Sequence, residues 1–251
     1  MTPSRRSVLI ASAALAAAVS PRLGRTQSRP RYRAIAFDGF VIIDPRPVAA
    51  RAEELFAGRG AMLMEAWRTR QFEYTWLRTL TGRYVDFRQV TKEALIAAAR
   101  ATRIDLPAEK RDQLLGAFAR LTAWPDVAPA LTELKARGIR MAFLANPPDQ
   151  MFDAVLRNAG LQGILEPHLS TDRVQLYKPH PRAYQMGIDA FGMSREEIVF
   201  AASASWDAAG AKSFGYPTFW LNRGGAAGEE LGVAPDAVGS GMDDLVKFVL
   251  G

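Results

Sequence analysis

Asp38 ends the run Arg33-Ala-Ile-Ala-Phe-Asp38, an apolar stretch with the length and composition of a buried strand. The chain therefore delivers a carboxylate at that strand's C-terminal end, which in open α/β sheets faces the ligand crevice. A carboxylate in this place can be a nucleophile, a metal ligand or the start of a turn, and left unpaired in apolar surroundings it would be expensive. Arg68 is the second residue of chemical interest. Met64, Arg68, Phe72 and Trp76 recur every four residues and so share one face of a helix. Arg68 in the middle of that stripe either snorkels at a helix rim or clamps an anion. Trp67 and Trp76 read as packing residues, and His180, between two prolines, as a loop residue. The chain has no Cys and only two His, His168 and His180. Disulfides, thiol nucleophiles and Cys-ligated metals are excluded, and little is left for a His-rich metal site.

The elements that must position these residues follow from periodicity and glycine placement. After residue 125, apolar runs alternate with amphipathic stretches that end in Gly. Helices are expected over 127–137, 151–159, 183–191 and 208–214, stopped by Gly138, Gly160, Gly192 and Gly215. Strands are expected over 139–144, 198–202 and 218–221. Strands alternating with helices predict an α/β fold with a Rossmann-like parallel sheet covered on both faces. Residues 46–124 contain long helical patterns and no convincing strand, which predicts a helical cap inserted after the first strand. The core is then 32–45 together with 125–251.

The N-terminus has a different character. Ser4-Arg-Arg-Ser-Val-Leu-Ile10 carries paired arginines ahead of twelve apolar or small residues, 8–19, a run too short to cross a bilayer as a helix. Residues 1–20 are expected to be a signal peptide of twin-arginine type, giving an exported, periplasmic protein. Residues 21–31 read as a Pro/Arg-rich tether. The net charge of +6 belongs to this end, because residues 1–33 hold seven Arg and no acid, leaving 25 basic against 26 acidic residues. The folded part has no electrostatic case for nucleic-acid binding, and no later segment is apolar enough to span a membrane.

Several motifs converge on one family. They are Ala36-Phe-Asp38, Gln71-Phe-Glu-Tyr-Thr-Trp-Leu-Arg78, Arg83-Tyr-Val-Asp-Phe87, Tyr177-Lys-Pro-His-Pro-Arg-Ala-Tyr184, Trp206-Asp-Ala-Ala-Gly-Ala-Lys212 and Phe219-Trp-Leu-Asn-Arg223. With them the chain resembles the haloacid dehalogenase superfamily, and more closely its L-2-haloacid dehalogenase (type II) branch, over roughly residues 32–235. The resemblance implies hydrolysis of a short 2-haloacid. Asp38 would attack C2, displace halide and form an aspartyl ester that water then hydrolyses. It implies that Lys178 stabilises charge near Asp38, that Arg68 and Asn146 hold the halide or the negative end of the substrate, and that Asp207 positions the water. Tyr184 would complete the polar network, and Phe40, Phe72, Phe87 and Trp206 would wall the pocket. Dimerisation through the cap is also implied.

Phosphatases of the superfamily carry a second Asp two residues after the nucleophile and an acidic pair for Mg²⁺. Here those places hold Phe40 and an Asp207 flanked by Trp206 and Ala208. Phosphoryl transfer without acid or metal loses most of its charge stabilisation, so no cofactor or metal is expected. Four positions depart from the branch, where Ile42, Ala145, Ala202 and Ala204 replace polar residues. Two further readings therefore stay open. One is an impaired or non-catalytic relative that binds a small organic acid or a protein partner, and the other a hydrolase of a different small electrophile.

Overall fold

The computed structural model describes residues 31–251, so the expected signal segment and most of the tether lie outside the described residues. Six parallel strands form one sheet in the order β3-β2-β1-β4-β5-β6. They are β1 (Ala34–Phe37), β2 (Arg140–Ala145), β3 (Leu169–Ser170), β4 (Ile198–Ala202), β5 (Thr218–Leu221) and β6 (Ala237–Gly239). β1 is central, with Phe37 opposite both Phe143 of β2 and Ala201 of β4. All four β1 residues are fully buried, as a parallel strand covered on both faces requires. Its side chains alternate between two cores: Ile35 and Phe37 enter one, Ala34 and Ala36 the other.

Helices α6 (Val127–Ala136), α7 (Asp149–Ala159), α8 (Pro181–Phe191), α9 (Ser205–Phe214) and α10 (Met242–Leu250) surround the sheet. Gly160, Gly192 and Gly215 close α7, α8 and α9 with φ of 67°, 62° and 106°. Sequence periodicity does not reveal β3, β6 or α10. β3 has only two residues, and β6 follows a glycine-rich loop. At Gly239 a Cβ would lie 2.6 Å from the Phe219 ring, so the residue type reflects close packing rather than a turn.

Between β1 and β2 the chain forms the short α1 (Gly39–Ile42) and then α2 (Arg46–Leu55), α3 (Gly60–Leu80), α4 (Phe87–Ala101), α5 (Ala108–Ala117) and a 3-10 turn (Phe118–Arg120). The two stems of this helical insertion run side by side. Asp44 N donates to Thr122 O and Trp124 N to Ile42 O, both at 2.9 Å. On its other side the insertion is tied to the loop before α8, where Tyr177 N donates to Thr79 Oγ1 at 3.0 Å and Tyr177 Oη to Val85 O at 2.6 Å. The insertion is thereby held over the C-terminal edge of the sheet.

Candidate active site

Asp38 follows the last residue of β1, and its backbone N–H donates to Ala201 O of β4 at 2.9 Å. Its side chain serves two purposes. It caps α1 by accepting from Phe40 N at 3.3 Å, and it points a carboxylate into the crevice. Lys178 Nζ donates to Asp38 Oδ1 at 2.8 Å and to Asp207 Oδ2 at 2.5 Å. Lys178 and Asp207 are each only 1% exposed. The ammonium also lies 5.0 Å from the centre of the Phe200 ring. Tyr184 Oη donates to Asp207 Oδ1 at 2.7 Å, so both oxygens of Asp207 have donors. Asp207 lies in the first turn of α9, where a negative charge is favoured. The N-cap of α9 is Ala204 rather than Asp207.

Charge pairing decides the protonation states. Burial pushes the Asp38 carboxyl up, but the Lys178 ammonium and the hydrogen bonds from Lys178, Ser203 and Phe40 outweigh it and hold Asp38 below its ordinary range. Burial likewise opposes the Lys178 charge and is overcome by Asp207 and Asp38, so its pKa is raised. For Asp207 burial prevails over Lys178, with Asp38 adding like-charge repulsion, and its pKa is pushed up to about 6. Asp38 is thus ionised at neutral pH, and Asp207 titrates close to it.

Ser203 escaped sequence reasoning. Its hydroxyl donates to Asp38 Oδ2, the oxygen that Phe40 N also reaches. It stands one residue past β4, beside Asp38 only because β4 pairs with β1 in the register Phe37 opposite Ala201. A hydrogen bond to a charged group contributes roughly 1.5–3 kcal/mol. Ser203→Ala is therefore expected to lower kcat/KM about 10- to 100-fold and to raise the pKa of Asp38, read from the acid limb of the pH–rate profile. An unchanged acid limb would show that the hydroxyl does not serve Asp38.

A cavity of about 670 Å³ opens on this cluster. Of the residues expected at the site, Asp38, Phe40, Arg68, Phe72, Phe87, Asn146, Lys178, Trp206 and Asp207 line it. Tyr184 does not; it is fully buried behind Asp207 and acts through that carboxylate. Arg68 is exposed on α3, with its guanidinium carbon 5.8 Å from the centre of the Phe72 ring, and it faces the same cavity. Asn146 also ties elements together. Its Oδ1 accepts from Lys178 N and Thr171 Oγ1, each at 3.3 Å, which ties the end of β2 to the lysine loop. Trp76 packs as expected, but half-buried and across to α9, with its ring 5.5 Å from Trp206 and 6.3 Å from Phe72. Trp67 is buried as expected, but it also lines the cavity. His180 is the N-cap of α8, accepting from Arg182 N.

The four departures separate in space. Ile42, Ala145 and Ala202 are fully buried in the two cores, and only Ala204 lines the cavity. Apolar groups at the first three positions leave no stranded polar partner. The polarity removed from the cavity wall itself is limited to position 204, and the neighbouring Ser203 supplies a hydroxyl to Asp38.

The residues do not fit a divalent metal. Mg²⁺ prefers several oxygen ligands. Here the Lys178 ammonium already bridges the two carboxylates, Phe40 offers no oxygen from its side chain, and Tyr184 occupies the remaining Asp207 oxygen.

Comparison with known proteins agrees with this geometry. Residues 9–215 match the family described as haloacid dehalogenase-like hydrolase. An (S)-2-haloacid dehalogenase of Pseudomonas sp. (strain YL) is 44% identical over 205 residues, 81% of this chain and 88% of that protein. A crystal structure of an L-2-haloacid dehalogenase is 40% identical with a TM-score of 0.85, covering 88% of this chain and 99% of that one. The L-2-haloacid dehalogenase of Xanthobacter autotrophicus, solved with chloropropionic acid covalently bound, is 31% identical with a TM-score of 0.79, covering 88% and 99%. This chain belongs to the haloacid dehalogenase-like hydrolase family, in its L-2-haloacid dehalogenase branch.

Proposed function

We propose that this protein is a hydrolase of carbon–halide bonds that converts 2-haloacids to 2-hydroxyacids without a metal. The observation that carries the reading is the Asp38 carboxylate, held ionised by Lys178 and Ser203 and opening on a mainly apolar cavity. An ionised oxygen in a dry site is a strong nucleophile. Oδ1 of Asp38 forms a bond to C2 as the carbon–halide bond breaks, and the halide leaves with its electron pair toward Arg68 and Asn146. Water then adds to Cγ of the ester. Phe40 N and Ser203 Oγ, both already directed at Oδ2, stabilise the oxyanion that develops there. The Cγ–Oδ1 bond breaks with its electron pair on the substrate oxygen, which takes up the proton lost by the water, so the product hydroxyl oxygen comes from Asp38 and the water oxygen stays in the carboxylate. A single displacement at C2 inverts its configuration.

Asp207 is the group to take the proton from water, and its raised pKa suits that role. Only the carboxylate form can act. kcat is therefore expected to climb through a midpoint near pH 6, and Asp207→Asn to lose that limb while accumulating the covalent ester, detected by intact-protein mass. Stability runs the other way. The folded pKa of Asp207 exceeds its ordinary 3.8, so its contribution is complete below pH 3.8 and declines as pH rises through about 6. A pH-independent kcat between 5 and 7 would remove Asp207 from the role.

The direct test of the function is halide release from L-2-chloropropionate by purified protein in the presence of a chelator. Turnover that needs added metal, or none across short 2-haloacids, contradicts the reading.

A further inference from the structure

Asp38 is followed by α1, a single helical turn of four residues, Gly39–Ile42. One isolated turn has little stability of its own, because it fixes several residues for a single hydrogen bond. Its C-terminal carbonyls also lack partners within the helix. Gly39 O accepts from Ile43 N at 2.9 Å, but the amide in register with Phe40 O, that of Asp44, donates instead to Thr122 O. Trp124 in the returning stem supplies what is missing. Its backbone N donates to Ile42 O at 2.9 Å and its indole Nε1 to Phe40 O at 3.2 Å. Phe40 is the residue whose own N–H reaches Asp38 Oδ2. Trp124 therefore grips the middle of the turn that aims a donor at the carboxylate.

The indole is itself held. The guanidiniums of Arg46 and Arg223 lie over its ring, 4.6 and 4.7 Å from its centre. Arg46 Nη2 is 2.7 Å from Asp44 Oδ2, and Arg223 binds Asp126 at 2.8 and 2.9 Å. Asp126 also accepts from Met242 N at 3.0 Å, which fixes it to the start of α10. The series Asp44, Arg46, Trp124, Arg223 and Asp126 thus joins both stems of the insertion to the segment after β5. Each guanidinium is paired with a carboxylate, so the two arginines act on the ring rather than as free cations.

We propose that Trp124 is a positioning residue for the reaction at Asp38, its indole N–H acting through Phe40 to keep the Phe40 N–H on Oδ2. The inference rests on the proposed ester mechanism for its kinetic consequence. Once Oδ1 carries the substrate, Oδ2 is the ester carbonyl oxygen, and negative charge builds on it as water adds to Cγ. In the first step charge leaves the carboxylate instead. A Phe40 N–H that drifts from Oδ2 therefore slows hydrolysis of the ester more than its formation.

Trp124→Phe keeps an aromatic ring and the backbone N–H and removes the Nε1 donor. Rapid-quench turnover of L-2-chloropropionate, followed by intact-protein mass, gives both rate constants. Ester hydrolysis should slow about tenfold and ester formation by less than about threefold, and the acid limb of the pH–rate profile should move to higher pH. Hydrogen exchange at the Phe40 amide, read by NMR without substrate, should quicken about tenfold. Arg46→Met, at a mostly exposed side chain, leaves Nε1 in place but loosens the ring. It should give the same bias toward slow hydrolysis at about two- to threefold, and it decides the matter if Trp124→Phe does not fold. Equal slowing of the two steps, or unchanged exchange with unchanged hydrolysis, overturns the inference. If exchange quickens in Trp124→Phe while wild type forms no ester, the dehalogenase reading fails and the clamp stands. If wild type turns over and the variants match it in both steps, the clamp fails and the reading stands.

Discussion

Asp38→Asn releases no halide from L-2-chloropropionate and gains no mass on incubation with it, whereas wild type, quenched during turnover, carries the substrate less hydrogen halide on the peptide containing Asp38. The expected loss is about 10⁶-fold, the order seen when a covalent nucleophile is removed. The substitution is nearly isosteric. The amide oxygen it introduces can still accept from Phe40 N, so the cap of α1 persists and the fold is retained. What disappears is the anionic oxygen, and with it one of the two carboxylate charges that hold Lys178. Residual turnover within 100-fold of wild type would mean that Asp38 is not the attacking group, and a covalent adduct found on another residue would identify the replacement.

Lys178→Met has the second-largest expected effect, and it acts on stability as well as on rate. Lys178 is 1% exposed and bridges two carboxylates. Methionine approximates its stem but leaves both acids without a cation. Breaking a buried pair by removing one partner costs about 3–5 kcal/mol. The midpoint of urea unfolding at pH 7 should fall by a corresponding amount. The deficit should narrow as pH is lowered, because protonated carboxyls no longer need the ammonium. Activity should fall by about 10³-fold or more at neutral pH. With Lys178 gone, burial would dominate at Asp38 and push its carboxyl toward the neutral, unreactive form. Lys178→Arg is not a rescue, because a planar fork cannot occupy the point between two oxygens that a compact ammonium fills. A variant with wild-type stability at neutral pH would contradict the assignment of Lys178 as the charge that permits two acids to be buried together.

The helical insertion, the parallel core strands and the glycine stops were legible because each is a local matter. Period and composition set them, and Gly160, Gly192 and Gly215 supply the left-handed residues on which α7, α8 and α9 end. Asp38 was legible for a related reason: a short apolar run with an acid at its end reads the same with or without its neighbours. Roles that depend on distant partners were readable only as far as the family resemblance reached. Lys178 and Asp207 were named in that way, and so were Arg68 and Asn146.

Three matters were settled by tertiary structure alone. Ser203 serves Asp38 because β4 lies against β1, two strands separated by more than 150 residues of chain; its own neighbourhood, Ala-Ser-Ala-Ser, marks neither serine over the other, and Ser205 turns out to bond Glu229. Ile42, Ala145 and Ala202 looked like losses from the site until packing placed them in the cores and left Ala204 alone on the cavity wall. The cavity wall joins stem, α2, α3 and 3-10 residues that no single segment contains. The sequence by itself determined the helical insertion, four of the six core strands, the place of Asp38 at a strand end and the side chains that stand where a phosphatase would carry acids. Only the tertiary structure decided which polar atoms reach Asp38 and which side chains wall the crevice, because hydrogen bonds and cavity walls are made between elements, and their energies depend on distances that chain order does not specify.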